Sequence, residues 1–339
     1  MHFLTGQGIG DSVWALFKIQ DIAKKHNATS IELSVAVSHL DDALQLRALE
    51  FLRRFKFLNR VDRYLVKPKK NCAGAVLQDG PAANKFGRYR YLPDGPPNPK
   101  LNMWDVHYIL LPNMALEHGV RLENWLPEYD MRWDVFRDFE FTAQEQDVAR
   151  GFADKHGAFA VFYMGSLVAN TVAGHNRGSM WRVNDWVRLG NNLHQRYGLK
   201  ILVVGADYDR SYWEKLVRPA LAGADEHWIE RIGAWANPCQ TFAVLKRASM
   251  VISYQSGIGI VSHYLGIPTA IFWRPDGNSV SPHGLVSFSE DMAHAWAYPG
   301  WPKGGKFLPC IYGKHDSYYL LSEIEQRNWA KKGDGHASA

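Results

Sequence analysis

The sequence predicts an α/β protein of two units, each built on a parallel sheet, and three observations carry that prediction. First, residues 2–5 read as a strand, followed by the turn Gly6-Gln-Gly8-Ile-Gly10-Asp11, an apolar-faced helix and a second strand at 30–35. Second, strand and helix alternate regularly from 158 to 272. Third, residues 67–103 are crowded with Pro, Gly, Asn and Lys, a composition that suits a functional loop or insert better than a sheet. Strands alternating with helices need crossover connections, which impose parallel pairing with helices on the sheet faces.

In the first helix Val13, Leu16, Phe17, Ile19 and Ala23 form a broad apolar face, which fades at Lys24-Lys25-His26. Residues 40–55 give a second helix carrying Leu44, Leu46, Leu49 and Leu52, and 107–111 reads as a strand. The Trp-, Tyr- and charge-rich stretch 117–138 fits no element. Thr142-Ala-Gln-Glu145 is a capping box that starts a helix to about 156. A buried strand at 158–163 precedes a helix at 183–197, with Val183, Trp186, Val187, Leu193 and Tyr197 on one face. Strand 200–204, helix 211–220, strand 227–232 and helix 241–247 come next. The short strand 250–252 then enters a Ser/Gly turn and a helix carrying Ile258, Ile260, Val261, Tyr264 and Leu265. Gly266 and Pro268 end that helix before a strand at 269–272, and a last helix spans 317–330.

The 339 residues suit two domains, and a hydrophobic fraction of 46% provides a sizeable core. No apolar run approaches the roughly 20 residues of a membrane span. The N-terminus enters a strand directly, without the basic and apolar regions of a signal peptide. Cys72, Cys239 and Cys310 are widely spaced, which fits a reducing compartment, so a cytoplasmic protein is expected. The net charge is +5, with eight Lys/Arg against the single acid Asp62 between residues 53 and 70. That stretch reads as a solvated helix face and loop, or as a patch for an anionic acceptor or membrane headgroups. No motif supports nucleic-acid binding.

The turn Gln255-Ser256-Gly257 between a strand and the helix opening at Ile258 carries the chemistry. Such a turn aims unpaired N–H groups and the positive helix end at one point, the geometry that holds phosphate or pyrophosphate. An ordinary connection that needed glycine is the plainer alternative. Met164-Gly165-Ser166 also follows a buried strand; Gly165 and Ser166 offer small donors, and Arg177 a cation for a phosphate. At the end of another strand, Gly205 precedes Asp207 and Asp209. Either acid suits a ribose or sugar hydroxyl, although Asp209 more naturally caps the next helix. Asp11 reads as a helix cap, or as a carboxylate that takes a proton from a sugar hydroxyl. Trp181 and Trp186 read as packing residues, and His263 as a core histidine. His175, His283 and His294 lack metal spacing. The Gly6/Gly8/Gly10 spacing is not that of a dinucleotide fingerprint, and there is neither a Walker loop nor a nucleophile elbow.

Taken in order, several of these segments resemble glycosyltransferase family 9, the ADP-heptose:lipopolysaccharide heptosyltransferases. Gly10-Asp11 with its apolar helix is similar to the family's opening. Met164-Gly-Ser with Trp181-Arg-Val-Asn-Asp-Trp186 resembles its glycine turn and W-P-x-x-x-W segment, and 201–207 its strand–Gly–acid segment. Residues 242–248, leading to Tyr254-Gln-Ser-Gly257 and Leu265-Gly-Ile-Pro268, resemble its D-S-G to L-G-x-P block. The resemblance covers the first 30 residues and most of 158–275. It implies a GT-B fold, with two Rossmann-like domains facing across a cleft: an acceptor domain over 1–150 and a nucleotide-sugar domain over 151–316. A helix at 317–330 would cross back to the first domain, ahead of a disordered tail at 331–339.

The resemblance further implies that Asp11 is the general base, and that Ser256, Gly257 and the N–H groups that follow, from Ile258 on, hold the donor pyrophosphate. The reading of the residues themselves adds Gln255, Gly165, Ser166, Arg177, Gly205 and Asp207 to the donor site, and Gly8 and Gly10 to the acceptor side. No cofactor and no metal are implied. The expected partners are a nucleotide-diphosphate sugar and a glycan or glycolipid acceptor, with peripheral contact to an anionic membrane surface. Four departures stand out. Gln255 replaces the D-S-G aspartate, Ile260 replaces a histidine, Arg182 replaces the proline after Trp181, and Ser179-Met180 lack the family's lysine. Gln255 and Ile260 keep open a non-catalytic nucleotide-sugar-binding relative; a GT-B epimerase acting on UDP-sugars, which needs acid/base residues from both domains, is the other alternative.

Overall fold

The computed structural model describes residues 2–5, 9–25, 27–37, 43–65, 90–92, 107–108, 136, 139–164, 181, 183–221, 225–233, 237–254, 256–273, 306–311 and 315–330. The chain divides into two units, Met1–Phe141 with Asn237–Cys239, and Thr142–Ala236 with Gln240–Ala339.

In the first unit β1 (His2–Thr5), α1 (Ile9–Lys25), β2 (Glu32–Val37), α2 (Ala43–Leu52) and β3 (Arg60–Leu65) keep to the expected alternation. Val13, Leu16, Ile19 and Ala23 of α1 are buried, as their spacing predicts, with Leu49 and Leu52 of α2. Phe51, Phe55, Phe136 and Phe139 pack ring against ring at centroid distances of 5.0–5.6 Å, the offset and edge-on range that aromatic rings favour. Two short strands complete the sheet, β4 (Arg90–Leu92) and β5 (His107–Tyr108), in the order β3-β2-β1-β4-β5.

Two expectations change here. β1 pairs antiparallel with β4, and β4 with β5, so this sheet is mixed rather than wholly parallel. The basic stretch contains a strand: β3 pairs parallel with β2 from Arg60 to Leu65. Its charges hide it, because an edge strand carries charge to deter pairing with other chains.

The second unit opens with α3 (Ala143–His156). Its capping box is formed: Thr142 Oγ1 accepts from the Glu145 N–H at 3.3 Å, and Glu145 Oε2 accepts from the Thr142 N–H at 2.8 Å. A boundary at 150 would cut this helix. The division falls at Phe141/Thr142 instead, because α3 packs on the second unit, Phe152 lying edge-on to Phe159 at 5.2 Å.

β6 (Phe159–Tyr163), α4 (Val183–Tyr197) and β7 (Lys200–Gly205) come next, then a helical run α5 over 207–220 and β8 (Trp228–Ile232). α5 widens to a π turn over Trp213–Val217 just before Pro219. Proline has no N–H to give an α-helix and its ring crowds the carbonyl four residues back, so a widened turn there relieves both problems. α6 (Pro238–Leu245), β9 (Met250–Tyr254), α7 (Gly257–Tyr264), β10 (Thr269–Trp273), β11 (Phe307–Ile311) and α8 (Ser317–Gln326) complete the unit. The six strands run in the order β11-β10-β9-β6-β7-β8, all parallel.

An aromatic cluster joins these layers. Trp186 is fully buried, with Phe162, Tyr254 and Phe272 within 5.3–5.9 Å. Its Nε1–H donates to Tyr254 Oη at 3.1 Å, that hydroxyl donates to the Trp181 carbonyl at 3.3 Å, and the Trp181 indole donates to the His315 carbonyl at 2.8 Å. Both tryptophans are therefore packing residues, as expected. Burial above all pushes the Tyr254 phenol well above its ordinary range, so it remains a neutral donor. The last helix among the described residues is α8. It packs on α4, and Leu320, Leu321 and Ile324 belong to that unit's core. The tail at 331–339 lies outside the described residues.

Candidate nucleotide site

The order of the second sheet sets where a ligand can sit. The chain builds outward from β6 through β7 to β8, then returns to the other side of β6 to lay down β9, β10 and β11. The reversal leaves a crevice at the carboxyl ends of β6 and β9, the position where open α/β sheets bind ligands. Tyr163 pairs with Ser253, so the two chain segments leave the sheet side by side. One runs into Met164 and on to 165–166, the other into 255 and Ser256. Two segments far apart in sequence, each singled out for its chemistry, thus leave the sheet at one point.

α7 begins one residue earlier than expected, at Gly257, with Ser256 as its N-cap in extended backbone. Ser256 Oγ accepts from the Gly259 N–H at 3.2 Å, and the Ser256 carbonyl from the Ile260 N–H at 3.1 Å. The N–H groups of Gly257 and Ile258 have no acceptor among the described residues, and both residues are partly exposed. The cap hydroxyl keeps its own proton to donate. With the dipole of a capped helix behind them, these three donors suit an anion. Gly266, at φ 78°, terminates α7 as the sequence predicts.

A feature of this helix went unread in the sequence. Gly259 faces the sheet so closely that a Cβ would sit 2.4 Å from Ser253 Oγ and 2.9 Å from Ile271 Cδ1. It is the glycine that lets the helix seat on its strands. Ser253 Oγ beneath it is buried and makes no hydrogen bond among the described residues. His263 is buried at 1% exposure, consistent with a core histidine, and Ile260 at 2%.

At the end of β7, Asp207 is exposed and Asp209 is buried. The expected capping role of Asp209 is reversed. The helical run starts before it, and its Oδ2 reaches back to accept from the Ala206 N–H at 2.9 Å. Gly205 makes room for this, since a Cβ there would lie 3.0 Å from Asp209 Cβ. Asp207 remains the acid open to a ligand. Burial raises the nearby Tyr212 phenol to about 12, so it too is neutral.

The first unit holds Asp11 as the third residue of α1 and Gly10 as the second, so the helix starts ahead of Asp11 and the acid lies inside the first turn rather than at the cap. Gly10 is buried. Gly8, Gly165, Ser166, Arg177 and Gln255 lie outside the described residues. In the basic stretch Lys56 pairs with Glu140 at 2.8 Å and Arg60 pairs with Asp62, which leaves less free positive charge than the composition implies. Among the described residues, no cluster of His, Cys, Asp or Glu is arranged to hold a metal ion, and no helix is long and apolar enough to cross a membrane.

No protein-family model matches the chain, and no curated protein matches its sequence. Among solved structures it is similar to E. coli ADP-heptose lps heptosyltransferase II, with a TM-score of 0.54 at 11% identity over 96% of this chain and 97% of that one. It is also similar to a glycosyl transferase family 9 protein from Veillonella parvula DSM 2008, with a TM-score of 0.53 at 13% identity over 96% of each chain. A likeness at such identity speaks to architecture. The chain has the GT-B fold of these two glycosyltransferases, as the resemblance in its motifs implies.

Proposed function

We propose that this protein is a cytoplasmic glycosyltransferase that moves a sugar from a nucleotide-diphosphate donor to a surface-glycan or lipopolysaccharide-type acceptor, with inversion and without a metal. The observation that carries the proposal is the capped start of α7 at the switch point of a six-stranded parallel sheet. The GT-B fold supports it. In this reading the donor diphosphate lies on the Gly257 and Ile258 N–H groups and the Ser256 hydroxyl, with Gln255, Gly165, Ser166 and Arg177 around it. Asp207, beyond Gly205, accepts from a ribose hydroxyl. The acceptor belongs to the first unit, beside Gly8 and Gly10, and the basic stretch 53–70 faces an anionic membrane surface.

The step is a single displacement. The acceptor oxygen attacks the anomeric carbon as its proton passes to the Asp11 carboxylate, and the bond to the diphosphate oxygen breaks with its electron pair on the leaving group. The fixed N–H donors of α7 and the Arg177 guanidinium meet that charge as it develops. A positioned general base contributes about 10²–10⁴-fold. Asp11→Asn should therefore lower kcat by about 100-fold or more while leaving donor binding intact. Unchanged turnover removes Asp11 from the mechanism.

A second reading draws on Ile260, buried where the resembled family has a histidine, and on Gln255 in place of an aspartate: a relative that binds a nucleotide sugar without transferring it. An assay for free nucleoside diphosphate, run across ADP-, GDP- and UDP-sugars with glycan acceptors, separates the two. Transfer releases the diphosphate, whereas binding or epimerisation does not.

A further inference from the structure

We propose that Arg210 and Gly233 are positioning residues that hold Asp207 in the pose needed to select the ribose of a ribonucleoside diphosphate. The inference rests on the diphosphate reading of the α7 turn.

Asp207 lies just past β7, and its Oδ1 is 3.6 Å from Arg210 Nη2. An exposed ion pair of this kind fixes little by itself, but the guanidinium is anchored. Arg210 Nη2 donates to the Ile232 carbonyl at 2.6 Å, and Nη1 lies 3.8 Å from Glu230 Oε1. Glu230 Oε1 in turn accepts from the Ile232 N–H at 2.7 Å. Gly233 comes next at φ 66° and donates its N–H to the Gly205 carbonyl at 2.9 Å, tying the ends of β7 and β8 together. A Cβ on Gly233 would sit 1.8 Å from Asp207 Oδ1 and 3.2 Å from Arg210 Nη2. Any side chain there would evict the carboxylate. An anchored guanidinium and the space left by Gly233 therefore define the pose of one exposed carboxylate, and its Oδ2 has no partner among the described residues.

A carboxylate held in place beside an anion site would repel phosphate. It can only accept hydrogen bonds, so the part of the ligand that meets it must carry hydroxyls. Only β6 separates β7 from β9, whose turn starts α7, so the two strands lie about 10 Å apart. A group bonded directly to the diphosphate reaches across that gap. The ribose and the transferred sugar both qualify. Asp207 lies on the β7 side of the crevice, where a Rossmann unit keeps the acid that meets a ribose, and this favours the ribose.

The test is calorimetric titration of the full chain with ADP, GDP and UDP, then with the 2′-deoxy form of whichever binds most tightly. Wild type should prefer the ribonucleotide by about tenfold, the worth of one hydrogen bond to a charged acceptor. Arg210→Gln and Gly233→Ala should each bring that ratio close to one without changing the 2′-deoxy affinity, and Arg210→Lys should keep part of the preference. Ser256→Ala, which probes the diphosphate reading alone, should weaken both ligands equally. Circular dichroism checks that Gly233→Ala folds, and Arg210→Gln tests the proposal independently of it. A preference that persists in Arg210→Gln overturns the inference and leaves the diphosphate reading standing. So does an equal fall for both ligands. Failure of wild type to bind any nucleoside diphosphate overturns both.

Discussion

At the scale of single residues, the glycines around the site do unlike work, and the sequence separates them poorly. Gly257 is legible because it follows Ser256 at a strand–helix junction, where an anion turn belongs. Gly259 is not, because what it avoids lies elsewhere in the chain: Ser253 on β9 and Ile271 on β10. No local pattern reports a contact across two strands. The same holds for Gly233, whose neighbours Asp207 and Arg210 precede it by a whole helix and strand. Gly259→Ala should overpack the seat of α7 and destabilise the protein by about 1–3 kcal/mol, read from denaturant midpoints. Ser253→Ala in the same background should recover part of that loss, since it removes both the nearest atom and a buried hydroxyl with no hydrogen bond among the described residues. No recovery would mean that Ile271 or the helix backbone sets the limit instead.

At the scale of elements, the helices and buried strands of the second unit were readable from the period of their apolar residues. α4 falls at 183–197, as its spacing predicts. The 142–145 capping box is a stronger signal still, because both of its hydrogen bonds are local. Thr142→Ala should cost about 1 kcal/mol, and Thr142→Ser should restore it. Unfolding midpoints for the pair decide the matter, and equal midpoints for Ala and Ser would deny the cap any weight. β3 was illegible for a physical reason. Arg-Val-Asp-Arg-Tyr-Leu alternates only weakly, and an edge strand favours the very charges that make it look like a solvated loop. β4, described over three residues only, shows no period, whereas β5 begins at 107, where the sequence places a strand.

At the scale of the whole molecule, the motif order along the chain revealed the fold class. What it could not reveal was the strand order, which sets the carboxyl end of β6 beside that of β9, the strand that leads to Ser256. The opposite ends of that second sheet give a prediction about pH. His194 and His227 stack face to face there, 4.1 Å apart and 8° from parallel. Each ring nitrogen seen to bond has an oxygen partner: His194 Nδ1 contacts the Leu199 carbonyl at 3.1 Å, and His227 Nε2 contacts Asn191 Oδ1 at 2.9 Å. Burial first, then His194 and Lys200, holds His227 below its usual range. His156 is held down by burial and by Lys155, Arg231 and Lys200. The charges that lower these two histidines are thus all positive.

A histidine whose folded pKa lies below its unfolded value, near 6.5, binds fewer protons folded than unfolded in the interval between them. Stability therefore rises with pH across that interval. It is intact above about 6.5 and falls as the pH drops from there toward the folded pKa values, below which these groups add no further slope. The melting temperature of wild type should decline between about pH 7 and pH 5. His227→Gln places an amide next to Asn191 that does not titrate and removes the charge that His194 opposes. That variant should show a shallower decline over the same range. A slope identical to wild type would mean that the stacked pair does not set the acid sensitivity of this unit.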